Sequence, residues 1–381
     1  MHRTLDQRLE NPMMPAPALQ FWLSLSLFPL IALAGWLGGW WLAAVTLYTL
    51  GLITVLDSVL EMDTTNADPT VHEQHLFWHK MVTWVWPPMQ FVLVFGALWW
   101  GVHGTLSSAE SIGLMVVTGI ATGAIGINFA HELIHQRTRW EPRMGEFLLT
   151  MVLYGHFRSE HILIHHRYVA TPRDPVTARY NEGFHRFFPR VLYQQVISAW
   201  RAEGAMLARR GLPAHHFRNP MYRYAAASLA FLLLAFVVGS WVGIGLFCVQ
   251  AIVAIVHLEA TNYIEHYGLT RRHLGQGKYE HVKPHHSWNS NHRVSNWFLI
   301  NLQRHSDHHY KPNRRFPLLQ ARDESEAPQL PFGYPVMTVL ATCPPLFRRV
   351  MNPRVRAWRR QFYPDIQDWS AYKAASNPVA T

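Results

Sequence analysis

From Phe21 to Leu56 the chain carries no charged residue. A helix crosses the hydrocarbon layer of a bilayer with about 20 apolar residues. The run is long enough for two, and predicts helices near 19–37 and 40–58, reversed through Gly35, Gly38 and Gly39. Four more apolar runs predict helices near 82–102, 111–130, 222–239 and 241–261. The first of these contains Pro87 and Pro88, where a kink is expected. The next is rich in glycine, which lets helices approach closely. Lipid offers the backbone no hydrogen bonds, so an all-α chain is expected. The expected architecture is a polytopic membrane protein, a single domain over 1–381, with about six transmembrane helices and a histidine-rich cap.

The formal charge is +10. All Lys and Arg residues except Arg3, Arg8, Lys80 and Arg223 lie in segments 131–221 and 264–381. The loops expected on the opposite side, at 35–41, 101–110 and 238–243, hold none. This asymmetry predicts that the polar segments and both termini are cytoplasmic, in a bacterial inner membrane. Nucleic acid is not an expected partner, because the arginines neither form an arm nor alternate with exposed aromatics. The polar start, Met1–Pro15, has no features of a cleavable leader. Two short apolar segments, Glu146–Phe157 and Val294–Leu302, cannot span and are expected as interfacial or re-entrant helices. The basic stretch Phe347–Arg360 is expected on an anionic membrane surface or against an acidic protein. Asp57 and Glu61 are expected at the substrate cavity, at the donor-facing surface, or as solvated helix ends.

Of the 24 histidines, three clusters stand out. His131 and His135 are four apart. His161, His165 and His166 repeat that step, and His305, His308 and His309 use three and four. On a helix such spacing places imidazoles on one face. With His266 these make nine candidate ligands, too many for one ion, and all fall on the predicted cytoplasmic side. Acids accompany them: Glu132, Glu160, Glu265 and Asp307 each adjoin a candidate ligand. Neighbouring helix positions point about 100° apart, so these acids are expected behind the metal, accepting the outer N–H of a ligand ring, with surface salt bridges as the alternative. Nitrogen ligation argues against calcium and magnesium. Zinc prefers four ligands. Five- or six-coordinate ions suit iron, with manganese left as an alternative. His156, His281, His285, His286 and His292 are expected to serve loop structure or to back the ligands. Only two cysteines occur, Cys248 and Cys343, so any iron–sulfur electron carrier is a separate protein.

The ordered motifs HELIH, EHILIHH, NYIEHYG and LQRHSDHH, together with RYVATPRDP and YEHVKPHHSWNSNH, resemble the membrane-bound alkane monooxygenases and their xylene-oxidising relatives. The resemblance runs over roughly residues 20–355. It implies two non-haem iron ions bound by His131, His135, His161, His165, His166, His266, His305, His308 and His309. It also implies O2 as oxidant and electrons from rubredoxin and its reductase. The supporting set expected around the ligands is Glu132, Glu160, Asn262, Glu265 and Asp307. The expected reaction is hydroxylation of the terminal methyl of a medium- or long-chain alkane drawn from membrane lipid. Ile134, Gln136 and Ile164 depart from the family pattern, and the bulk near the ligands is expected to narrow the substrate path. The rivals are an aromatic-methyl hydroxylase or acyl desaturase with the same centre, and a membrane metal-binding or transport protein.

Overall fold

The computed structural model describes residues 16–369 and Tyr372. The segment Met1–Pro15, whose cytoplasmic placement the charge pattern predicts, lies outside the described residues. The fold is all-α apart from a two-stranded hairpin, β1 (His273–Gly275) with β2 (Lys278–Tyr279). Four helices near the start are long and apolar enough to cross a membrane: α1 (Gln20–Leu37), α2 (Trp40–Val59), α3 (Glu73–His103) and α4 (Ser108–Ile134). Then come α5 (Glu141–Met151), α6 (157–168), α7 (Phe184–Ala208) and a fifth apolar helix, α8 (Pro220–His266). The cap is completed by α9 (Arg293–Phe298), α10 (His305–Tyr310), α11 (Tyr334–Ala341) and α12 (Pro344–Phe362).

The 47-residue α8 is not one rod. Gly239 and Ser240 leave helical geometry, and Ser240 has φ 53°. A Cβ on Gly243 would sit 2.2 Å from the carbonyl oxygen of Ala235. Eight residues of straight helix would separate those positions by about 12 Å, so the chain folds back here and α8 has two apolar arms. The α1–α2 reversal uses Gly38 and Gly39, at φ 64° and 56°. Glu110 accepts the Gly39 N–H at 2.8 Å and caps its own helix with Ser107. Gly35 is not part of the turn. It lies inside α1, where a Cβ would come 3.1 Å from Leu114. Helix α3 runs on through Pro87 and Pro88. It also starts earlier than expected, because His79 is buried against Phe21 and Phe316 and Lys80 lies over the Trp84 ring.

Three local widenings decide where the interior opens. Segments Leu47–Leu52, Thr122–Ile127 and His161–His165 have π-helical hydrogen bonding. Extra residues of this kind recur at functional sites. Between them, α4 packs on the second arm of α8 so tightly that only glycine fits. A Cβ on Gly119 would meet Val253 at 2.6 Å, and one on Gly123 would meet His257 at 2.8 Å.

The short apolar segments are buried helices rather than surface ones. Within Glu146–Phe157, Leu148, Leu149 and Met151 are fully enclosed in α5. The α9 segment is held by Asp57, whose Oδ1 accepts the Val294 and Ser295 N–H groups at 2.8 and 3.0 Å. Asp57 is therefore a buried helix cap, and Glu61 is exposed. The apolar stripe of α12, with Phe347, Met351, Val355 and Trp358, is buried in the protein, Phe347 lying against Tyr263 and Tyr267. That apolar stripe therefore packs on protein, while Arg349, Arg354, Arg356 and Arg360 on the basic face stay exposed.

Candidate metal centre

Helix α4 delivers His131 and His135, α6 delivers His161, His165 and His166, the end of α8 delivers His266, and α10 delivers the last three. The nine rings converge as two groups: His131, His135, His161, His166 and His308; and His165, His266, His305 and His309. Within each group the ligand atoms lie within 4.8 Å of one another.

The distances fit a bound cation. Nε2 of His166 lies 3.1 Å from Nε2 of His135, 3.0 Å from that of His161 and 3.1 Å from that of His308. One ring nitrogen has either one proton or one lone pair. It cannot bond three others, whereas one cation attracts all four lone pairs. In the second group, His305 Nε2 is 3.1 Å from His266 Nε2 and 3.0 Å from His309 Nε2. With metal–nitrogen bonds of about 2.1 Å, ligands at right angles stand about 3.0 Å apart and tetrahedral ones about 3.4 Å. The observed edges match the right-angled arrangement of five- and six-coordinate ions. Burial pushes the His135 ring down to about 3 and holds His161, His166, His305, His308 and His309 well below the ordinary imidazole range. These rings are neutral at pH 7, the form that ligates.

The groups behind the rings differ from expectation. Asp307 accepts from Arg314 and Arg322 and from the Gln320 amide. Glu132 accepts from Gln136 at 2.9 Å and lies 3.9 Å from Arg315. Asn262 donates to Glu259 at 3.2 Å. None of these three meets a candidate ligand ring; Glu132 and Asp307 sit next to one on a helix and so point elsewhere, and Asn262 is turned to Glu259 instead. Glu265 Oε1 comes 3.3 Å from His305 Nδ1, without hydrogen-bond alignment, and accepts the Tyr334 hydroxyl at 2.8 Å. Glu160 is fully buried and neither oxygen has a hydrogen-bond partner. An unpaired buried carboxyl is costly, and nearby positive charge would offset that cost. The partner that sequence reasoning missed is Asp174. Its Oδ2 accepts the His165 Nδ1–H at 2.9 Å and the Thr177 hydroxyl at 2.7 Å, and its Oδ1 accepts the Val176 amide. Its position inside RYVATPRDP was the only signal.

The remaining histidines stand apart. His156 packs on Tyr154, His292 bonds Ser290 at 2.7 Å, and His281 is exposed. Glu280, His285 and His286 gather closely enough to ligate, but around Tyr363. His286 Nδ1 accepts the Lys283 N–H at 2.9 Å. In the neutral ring Nε2 then carries the proton and donates to Tyr363, whose hydroxyl donates to Glu280. That chain is complete with protein groups alone.

Above the nine rings lies a narrow apolar cavity, with His131, His161 and His305 at its floor. All three π-helical segments line it, through Thr49 and Leu50, Gly123 and Ala124, and His161. Ile134, Gln136 and Ile164 are absent from its lining, so the departures from the family motif do not narrow it. Ile134 packs on Gly145 instead.

The fatty acid desaturase family matches residues 107–341. The chain is 40% identical over 314 residues to alkane 1-monooxygenase 2 of Pseudomonas aeruginosa, covering 81% of this chain and 82% of the relative. It is 38% identical over 353 residues to alkane 1-monooxygenase 2 of Alcanivorax borkumensis, covering 89% and 90%. It is 29% identical over 350 residues to the xylene/toluene monooxygenase hydroxylase component XylM of Pseudomonas putida, covering 88% and 89%. The chain belongs to the fatty acid desaturase family and, within it, to the alkane 1-monooxygenases.

Proposed function

We propose that the protein hydroxylates the terminal methyl of medium- and long-chain alkanes to primary alcohols, at two non-haem iron ions held by the nine histidines, with O2 as oxidant and electrons from rubredoxin and its reductase. The observation that carries this reading is the union of nine converging imidazoles with the floor of an apolar cavity. The names of the relatives support the substrate class. Right-angled nitrogen edges favour iron over tetrahedral zinc.

Iron bound there would supply the activation of O2 and the removal of hydrogen from an unactivated C–H bond. The chain's own residues do the rest. Ile120, Ile127, Phe298, Leu299 and Leu302 line the cavity and hold a hydrocarbon by burial, at about 0.8 kcal/mol per CH2. Phe157 also lines it and stacks on His161 with ring centres 4.8 Å apart, which fixes the orientation of that imidazole. Asp174 keeps the proton of His165 on Nδ1, so that Nε2 faces its group. An apolar wall excludes water and delivers the methyl end first to the floor.

The reading places the protein in a bacterial inner membrane with six crossings, supported by four single helices and the folded-back α8, and puts the metal centre on the cytoplasmic side, supported by the distribution of Arg and Lys. The basic cytoplasmic surface suits an acidic electron carrier. The test is turnover with NADH, rubredoxin, its reductase and O2 on octane, hexadecane, a xylene and an acyl chain. Primary alkanols and iron near two per chain are expected. Zinc in place of iron, or no hydrocarbon turnover, would overturn the reading. A marked preference for the xylene would move it to aromatic methyl groups.

A further inference from the structure

The cavity has one polar feature that the reaction above does not use. His257, on the second arm of α8, lines the cavity well above the floor histidines. Two helices give its height. His257 precedes His266 by nine residues of α8, a rise of about 13 Å. Gly123, whose Cβ would touch the His257 Cβ at 2.8 Å, precedes His131 by eight residues of α4, a rise of about 12 Å. The two rulers agree.

An ionisable side chain inside a membrane span calls for a functional account with a named partner. A neutral imidazole carries its proton on one ring nitrogen. In the neutral ring the other nitrogen is a hydrogen-bond acceptor. The cavity's threonine hydroxyls do not pair with it: Thr49, Thr261 and Thr338 each donate to a backbone carbonyl of their own helix. Leu258 lines the wall beside it, and so does Thr261, whose hydroxyl is already engaged by the His257 carbonyl, so the imidazole has no threonine partner in the cavity.

We propose that His257 is a specificity-determining residue that accepts a hydrogen bond from a hydroxyl at the far end of the substrate, so that the protein also hydroxylates the free methyl of medium-chain primary alcohols to give α,ω-diols. The inference rests on the proposed hydroxylase reading. A C–C bond of about 1.5 Å advances about 1.25 Å along an extended chain, so the span from floor to His257 matches roughly nine to twelve carbons. The balance is that of the parent reaction. A terminal C–H bond breaks and a C–O bond forms. One oxygen atom of O2 enters the diol, and the other leaves as water with two protons and two electrons from the same carrier. The alcohol made from an alkane thus returns in the opposite orientation as a substrate.

The experiment compares kcat and KM for decane and for 1-decanol, with 1,10-decanediol as the measured product, and repeats the alcohol assay from eight to fourteen carbons. The wild-type protein is expected to form diol with an optimum near ten to twelve carbons. His257→Leu should lower the alcohol-to-alkane ratio of kcat/KM about tenfold, mostly through KM, because the bond is present in ground and transition states alike. His257→Gln keeps an acceptor oxygen and should restore most of the ratio. An unchanged ratio in His257→Leu overturns the inference. So does a wild type that turns over decane but forms diol from no alcohol in the series. A wild type that turns over neither substrate would instead sink the hydroxylase reading, and this inference with it.

Discussion

Behind His165, in the four-histidine group, stands a carboxylate pinned by three hydrogen bonds; behind His161, in the five-histidine group, stands the face of Phe157. The contrast extends beyond that pair. Glu265 approaches His305, again in the smaller group. No ring nitrogen of the larger group is paired with a carboxylate among the described residues; buried Nδ1 atoms without a hydrogen-bond partner occur in both groups, His161 and His166 in the larger and His266, His305 and His309 in the smaller. A carboxylate on the outer N–H makes the ring a stronger donor and fixes its tautomer. The larger group uses one more ligand. The smaller has one fewer ring, and one of its rings, His165, is fixed by a hydrogen-bonded carboxylate.

The largest effect should come from removing a ring. His266→Ala leaves three ligands in the smaller group, and His308→Ala leaves four in the larger. Metal per chain, measured by plasma mass spectrometry, should fall by about one ion in His266→Ala and by much less in His308→Ala. Hydroxylation in His266→Ala should fall by more than the ~10–100-fold that loss of an outer partner typically brings. Equal metal loss in the two variants would mean that the groups do not differ in how they retain an ion.

Next in size is Asp174→Asn. The substitution keeps shape but offers an N–H to a ring that needs an acceptor, and metal affinity of the smaller group should drop ~10–100-fold. A chelator titration followed by metal analysis separates the groups: one ion per chain should leave early and the other at the wild-type concentration. Simultaneous loss of both ions would show that the halves bind as one unit.

This carboxylate also marks how much of the centre was legible in the sequence. The clustering of the rings was, because steps of three and four on helices bring imidazoles near one face, but their split into two groups was not: the π-helical turn at His161–His165 sets His161 with His166, five residues on, and His165 with the other group. Nor was the backing of the rings. Adjacency along a helix points side chains apart, so Asp307 went to Arg314 and Arg322 and Glu132 to Gln136, while Asp174 arrived from a turn nine residues past His165. The apolar runs gave the helices and the α1–α2 and α8 reversals. They could not give the π-helical segments that open the cavity, since an extra residue in a turn is decided by packing across helices. Nor could they show that the stripe of α12 packs on Tyr263 and Tyr267 instead of lipid.

The smallest effects should come from the second rank of each group, and they test the contrast most closely. Tyr334 donates its hydroxyl to Glu265 at 2.8 Å, which holds that carboxylate 3.3 Å from His305 Nδ1. Tyr334→Phe removes one hydrogen bond of about 1 kcal/mol and should weaken metal binding in the smaller group a few-fold. Phe157→Leu removes the ring that stacks on His161, with ring planes 25° apart, and leaves every hydrogen bond in place. Its metal content should match the wild type. Its effect should appear in turnover, because Phe157 also walls the cavity above the floor. If Phe157→Leu loses metal while Tyr334→Phe keeps it, the roles are reversed: packing holds the ligands throughout, and the carboxylates of the smaller group serve only to balance charge.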